Sequence, residues 1–322
     1  MHMIKRRMLH RALLVGALMA ASLATGCGSP AAQQPALGDT LVKSADVATQ
    51  SGPFQGPLDS TPDPDAATIY FTAGGPDGPG IFRVPAAGGA AEPLASGAPL
   101  VRPVGIAIGG DGRQLYVADP EAGEIFALPV TGGVPAPIQG ASGSAPRGLD
   151  VVSEQGRDMI YFTGKAPGDG QPAVLKLPVS GGAPTVVAKG APLVEPDGVT
   201  VTRAGVAYVS DRAAGGGGAG SVFKIDGCTV TKIVEQVRVG DPAGVALTKD
   251  ESVLLVSALQ PDRESDQVLL VNLSTLQTGS VTQGIAQNQK AGGVHRARNS
   301  NTFAWADLSA GGAGRVYRIV LH

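Results

Sequence analysis

The chain has 322 residues, 43% of them apolar, with 47 glycines, 25 prolines and a formal net charge of -2. That is enough apolar chain for a sizeable core, and glycine without a three-residue period excludes a collagen. The first 26 residues hold Lys5, Arg6, Arg7 and Arg11 and no acid; the remainder carries 21 basic against 27 acidic residues and no basic stripe with interleaved aromatics, which argues against nucleic acid as a partner.

Residues 1–26 have the form of a secretory signal: a basic start, an apolar run from Ala12 to Ala24, and small residues before a cysteine. The run is too short for an ordinary membrane span. Leu23-Ala24-Thr25-Gly26-Cys27 resembles the lipobox of bacterial lipoproteins, with Ala24 at the usual leucine and Leu23 one place earlier. The resemblance implies cleavage before Cys27, acylation of Cys27 by diacylglycerol and a palmitate-type chain, and a lipid-anchored place in the cell envelope. Gly28 follows instead of an aspartate, so the implied location is the outer membrane, facing the periplasm. Cys228 is then left without an intramolecular disulfide partner. With no histidine near it in sequence, it is expected to be a buried, unreactive thiol.

Residues 27–40 have the small, polar, proline-bearing composition of a tether. LVKSADVAT (41–49) has the valines and leucine of a strand. SGPFQGPLDSTPDPDA (51–66) is turn-rich, and its prolines argue against a central strand.

From Ile69 onward, paired β-branched and aromatic runs recur between glycines and prolines. The pairs are IYFTA (69–73) with GIFRVP (80–85), LYVAD (115–119) with EIFALPV (124–130), and IYFTG (160–164) with AVLKLPV (173–179). They continue as AYVSD (207–211) with SVFKI (221–225), LLVSA (254–258) with QVLLVNL (267–273), and FAWAD (303–307) with RVYRIVL (315–321). Their second positions, Tyr70, Tyr116, Tyr161, Tyr208, Leu255 and Ala304, are spaced by 46, 45, 47, 47 and 49 residues. Glycine-led runs such as RPVGIAIGGDG (102–112) and EPDGVTVTRAG (195–205) precede the pairs, and short stretches such as EPLAS and TVVAK follow them.

Four antiparallel strands in each repeat, in series, predict an all-β, six-bladed β-propeller of four-stranded blades. The chain ends on the second run of its last pair, so strand 41–49 is expected to complete that blade and close the ring. The expected division is a signal at 1–26, a tether at 27–40 and a propeller at 41–322. Gly105, Gly148, Gly198, Gly244 and Gly293 are expected where inner strands crowd around the axis. The inner strand of the first blade has to come from the irregular 50–66 stretch.

Residues 102–128 and 195–211 resemble the blades of the NHL, SMP-30/gluconolactonase and strictosidine-synthase-like propellers, a likeness that covers about residues 66–321. Lactonases of that group hold a calcium-like ion through an early glutamate, middle-blade asparagines and a later aspartate. The early Glu-Gly-Pro segment is absent here and the inner strands carry no asparagine; Asn299 and Asn301 fall at a turn. No ligand carries over residue by residue.

Repeat register puts Arg102, Arg147, Asp150, Glu195, Asp197, Asp241 and His295 at the face built by loops leading into the inner strands. Asp150, Asp197 and His295 are the candidate catalytic or metal-ligating residues. His295 is the one histidine within the body, because His2 and His10 leave with the signal and His322 ends the chain. Asp119, Asp211 and Asp307 share one repeat position and are expected to cap the following turn. The GGGG at 215–218 lacks the lysine and hydroxyl of a phosphate loop, and no G-x-S-x-G elbow occurs. The expected function is a monomeric, envelope-anchored binding or interaction module for a small molecule, a glycan or another envelope protein. The alternative is a metal-dependent hydrolase or lactonase built on Asp150, Asp197 or His295 around an axial Ca2+ or other divalent cation.

Overall fold

Each paired run forms the two middle strands of an antiparallel sheet in the computed structural model, which describes residues 37–259, 266–285 and 290–322. The expected signal, Cys27 and most of the expected tether lie outside these residues. Middle strands such as Thr302–Asp307 are buried along their whole length, whereas outer strands such as Glu92–Ser96 have no buried residue. Facing sheets bury aliphatic and aromatic side chains between them. One such core joins Ile125, Leu149, Ile160 and Phe162; another joins Leu255, Leu270, Trp305 and Tyr317.

Taken from the inside out, one sheet runs Gln55–Pro62, Thr68–Gly75, Gly78–Pro85, Glu92–Ser96. The next runs Gly105–Ile108, Gln114–Asp119, Glu124–Pro129, Ala136–Pro137. A third runs Leu149–Glu154, Arg157–Lys165, Pro172–Pro178, Thr185–Lys189. The closing sheet runs Ala291–Arg296, Thr302–Asp307, Arg315–Leu321, Val42–Val47. In it the N-terminal strand lies antiparallel to the C-terminal one, from Val42 opposite Leu321 to Val47 opposite Tyr317. The two ends of the ring are therefore held together by a β-ladder.

The remaining strands correct the expectation of a six-bladed ring. Apart from a short parallel pair, Thr49–Ser51 with Gly89–Ala90, they form one continuous eight-stranded sheet, so among the described residues the separate four-stranded blades number four and not six. The resemblance to six-bladed propellers is corrected in the same respect. The physical cause is the strand Thr229–Val239, eleven residues long. Its first part pairs with Ala219–Asp226, and its end runs on to pair Arg238 with Leu259 and Val239 with Ala258 of the following unit. A β-branched strand that overruns its own sheet meets the next one with free hydrogen-bonding groups on both.

The inner strands touch in a closed cycle, each against the next, with Ala291–Arg296 returning to Gln55–Pro62. Glycine makes this approach possible. A Cβ on Gly198 would stand 1.9 Å from the Ala243 carbonyl oxygen, and one on Gly148 would stand 2.1 Å from that of Asp197. Hydroxyls on the second strands tie neighbours together: Thr72 Oγ1 donates to the Val104 carbonyl at 2.9 Å and Ser210 Oγ to that of Ala243 at 2.7 Å. The proline-bearing 51–66 stretch does supply an inner strand, because this strand is the edge of its sheet. A register shift between Gln55 and Asp59 takes up Pro57.

Candidate functional site

Side chains two residues apart on a strand share a face, so the inner strands build the axis in layers. One layer consists of Gly105, Gly148, Gly198, Gly244 and Gly293, with Asp59 in the glycine register of the first sheet. Around it the channel narrows to about 10 Å³, near the least space that holds one water. Two residues further along lie Thr61, Ala107, Asp150, Thr200, Ala246 and His295. They line a cup of about 410 Å³ that widens toward the turns leaving the inner strands.

Asp59 plugs the constriction. Its Oδ2 accepts the Ile106 N–H at 2.9 Å and lies 3.1 Å from His295 Nε2, while Oδ1 accepts the Ser60 N–H. Burial alone would lower the His295 pKa, but Asp59 in contact and Asp150 nearby more than reverse this and hold it above the ordinary histidine value. Asp150 Oδ2 accepts the Val201 N–H at 3.0 Å and the Thr200 hydroxyl at 3.1 Å, which ties one inner strand to the next.

The opposite end of the axis, where the loops enter the inner strands, is held by a charge network. Arg147 Nε donates to Asp197 Oδ1 at 2.6 Å and Nη2 to Asp241 Oδ1 at 2.9 Å. Arg212 bridges Asp241 at 3.1 Å and Glu195 at 2.9 Å. Asp197 has no exposed surface and also accepts the Ala243 N–H at 3.0 Å. Burial pushes its carboxyl up, against the pull of Arg147 and that N–H. For Arg147, burial alone would lower the pKa, and the two carboxylates more than offset it.

The candidates named from sequence therefore do not converge. Asp150 faces the cup, Asp197 lines the constriction and His295 lines both, and Asp197 is committed to Arg147 while His295 is committed to Asp59. Among the described residues, no group of three or more His, Cys, Asp or Glu is arranged to hold a metal ion. Arg102 forms an exposed ion pair with Glu121. Asp119 accepts the N–H groups of Val101, Arg102 and Ala122; Asp211 those of Val194, Glu195, Ala213 and Ala214; Asp307 those of Ser309 and Ala310. Cys228 is exposed, contrary to the expected buried thiol, because it sits in the turn between Ala219–Asp226 and Thr229–Val239.

Sequence reasoning missed Asp59 and the lower rim of the cup. Asp59 falls in the 50–66 stretch, whose prolines obscure its register, and the available signal is Thr72, which shares its repeat position with Thr163, Ser210 and Ser257. The rim comes from the turns after the inner strands. Arg203 pairs with Glu251, Lys249 Nζ donates to the Asn299 carbonyl, and Arg298 reaches the Val151 carbonyl.

No family model matches the chain, and no curated protein matches it. Solved structures do. A gluconolactonase from Xanthomonas campestris has a TM-score of 0.60 at 15% identity over 88% of this chain and 92% of its own. A protein of unknown function from Bacteroides thetaiotaomicron has 0.62 at 11% over 87% and 76%. A chain of a nidogen/laminin complex has 0.56 at 16% over 71% and 85%. At such identities the likeness shows the fold alone, an all-β propeller of gluconolactonase-like architecture.

Proposed function

We propose that this chain is a lipid-anchored, monomeric binding module of the bacterial cell envelope, which presents its propeller to a small molecule, a glycan or another envelope protein. The observation that carries the binding role is the cup, a concave site of about 410 Å³ whose size suits a small ligand. Asp150, the carboxylate on its wall, spends its hydrogen bonds on the neighbouring inner strand. The hydrolase alternative has less support, because Asp150, Asp197 and His295 are each engaged by a different structural partner, the Val201 N–H, Arg147 and Asp59. Support for the anchor comes from the sequence at Cys27 and the signal before it. On this reading the acyl chains on Cys27 supply the attachment; among the described residues no helix is long and apolar enough to cross a membrane.

Metabolic labelling with a palmitate analogue tests the anchor. The full chain is expected to take label and to fractionate with membranes, and Cys27→Ala to lose both. A labelled Cys27→Ala protein, or an unlabelled wild type, would refute it.

A further inference from the structure

The rim and wall of the cup are more basic than the rest of the molecule. Arg203, Lys249, Arg296 and Arg298 face Asp150 and Glu251, so basic side chains outnumber acidic ones by two in a chain whose formal net charge is -2. The two carboxylates are already engaged. Asp150 accepts from Thr200 and Val201, and Glu251 accepts from the side chain and backbone of Arg203.

Among the described residues, the partners of the other three cations are neutral carbonyl oxygens. Arg296 Nε donates to Leu247 at 2.7 Å, and Nη1 donates to Ala297, Arg298 and Ser300. Lys249 and Arg298 donate to Asn299 and Val151. Carbonyls orient a guanidinium without cancelling its charge, and a concave wall concentrates the resulting field. Burial holds the Arg296 pKa below its ordinary value, with Arg298 and Arg203 adding to this against Asp150 and Glu251. Aliphatic side chains of Ile108, Val151 and Leu247 complete the wall.

We infer that the cup receives a small molecule carrying a carboxylate or phosphate group, which enters past the turns after the inner strands and sets its anionic end against Arg296, Arg298 and Lys249. Guanidinium forks match both oxyanions in geometry. The inference rests on the binding-module reading only in taking the cup as the receiving site.

The test is calorimetric titration of the full chain in detergent with three probes: citrate, inorganic phosphate and glucose. Saturable binding of citrate or phosphate is expected, weakening as salt is raised; the stronger of the two identifies the oxyanion. The double variant K249E/R298E is expected to weaken it by about a hundredfold, on the order of tenfold for each cation lost. R102E, at the other end of the axis, is expected to leave it unchanged. Folding of each variant is checked by circular dichroism. Two results would overturn the inference: no saturable binding of either anion by the folded protein, or binding that K249E/R298E leaves intact. Glucose binding without anion binding would also overturn it, while leaving the binding-module reading in place.

Discussion

Removing Arg147 is the perturbation whose cost the structure specifies best. Its guanidinium is largely buried, with 21% of the side chain exposed, and it pairs with Asp197, which has none exposed. In Arg147→Ala, Asp197 keeps only the Ala243 N–H and a distant Arg212 Nε at 3.7 Å. Breaking a buried pair from one side costs about 3–5 kcal/mol, because the other charge stays behind without compensation. Asp197→Ala should cost less. Arg147 then retains Asp241, and the main loss is an acceptor for one buried N–H, about 1–3 kcal/mol.

Urea unfolding measures both, and at about 2–4 °C per kcal/mol for a chain of this order the Arg147→Ala melting temperature should fall by roughly 10 °C. The deficit should also depend on pH. Burial already raises the Asp197 pKa, and a carboxyl raised in the folded state favours folding at low pH and loses that contribution as pH rises through the folded value. Without Arg147 this push is opposed only by the Ala243 N–H and the distant Arg212, so the deficit should be smaller near pH 4 than near pH 7. A loss below about 1 kcal/mol, or one that does not change with pH, would refute this account of the network.

Ser257→Ala removes the acceptor that Trp305 Nε1 reaches at 2.9 Å between two fully buried residues; about 1–3 kcal/mol of stability should be lost in urea unfolding. Gly198→Ala puts a Cβ against the Ala243 carbonyl, and should destabilise by about 1–3 kcal/mol or more. Gly217→Ala, with φ +60° and open space around it, should cost less, about 1 kcal/mol from the left-handed backbone alone, and a larger loss there than at Gly198 would contradict the packing of the inner ring. His295 has a raised pKa in the folded state, so its contribution is fully present below the ordinary histidine value of about 6.5 and is lost as pH rises through the raised one. His295→Gln should therefore cost more near pH 5 than near pH 9, and a deficit flat with pH would count against the Asp59 contact.

Much of the architecture is legible in particular residues. The repeat at Tyr70, Tyr116, Tyr161 and Tyr208 places the second strands. The recurrent glycines before the apolar pairs mark the crowded axis, and the valine-bearing run at 41–49 reads as the strand that pairs with Arg315–Leu321. The site was less legible. Repeat register points to a ligand face where loops enter the inner strands, yet Arg147, Arg212 and their carboxylates tie that end together and the cup opens at the other. The eight-stranded sheet was hidden for a similar reason, since nothing in 229–239 says where a strand stops pairing with one neighbour and starts with the next.

Local pattern alone determines the strands and the small residues at the axis, because alternation, β-branching and glycine act within a few residues of themselves. Tertiary structure decides which side chains meet across the ring. Asp59 reaches His295 across 236 positions of sequence, and Arg147 reaches Asp241 across 94. Charge and shape at the axis are sums over inner strands that are far apart in the chain, and only the closed ring brings them within hydrogen-bonding distance.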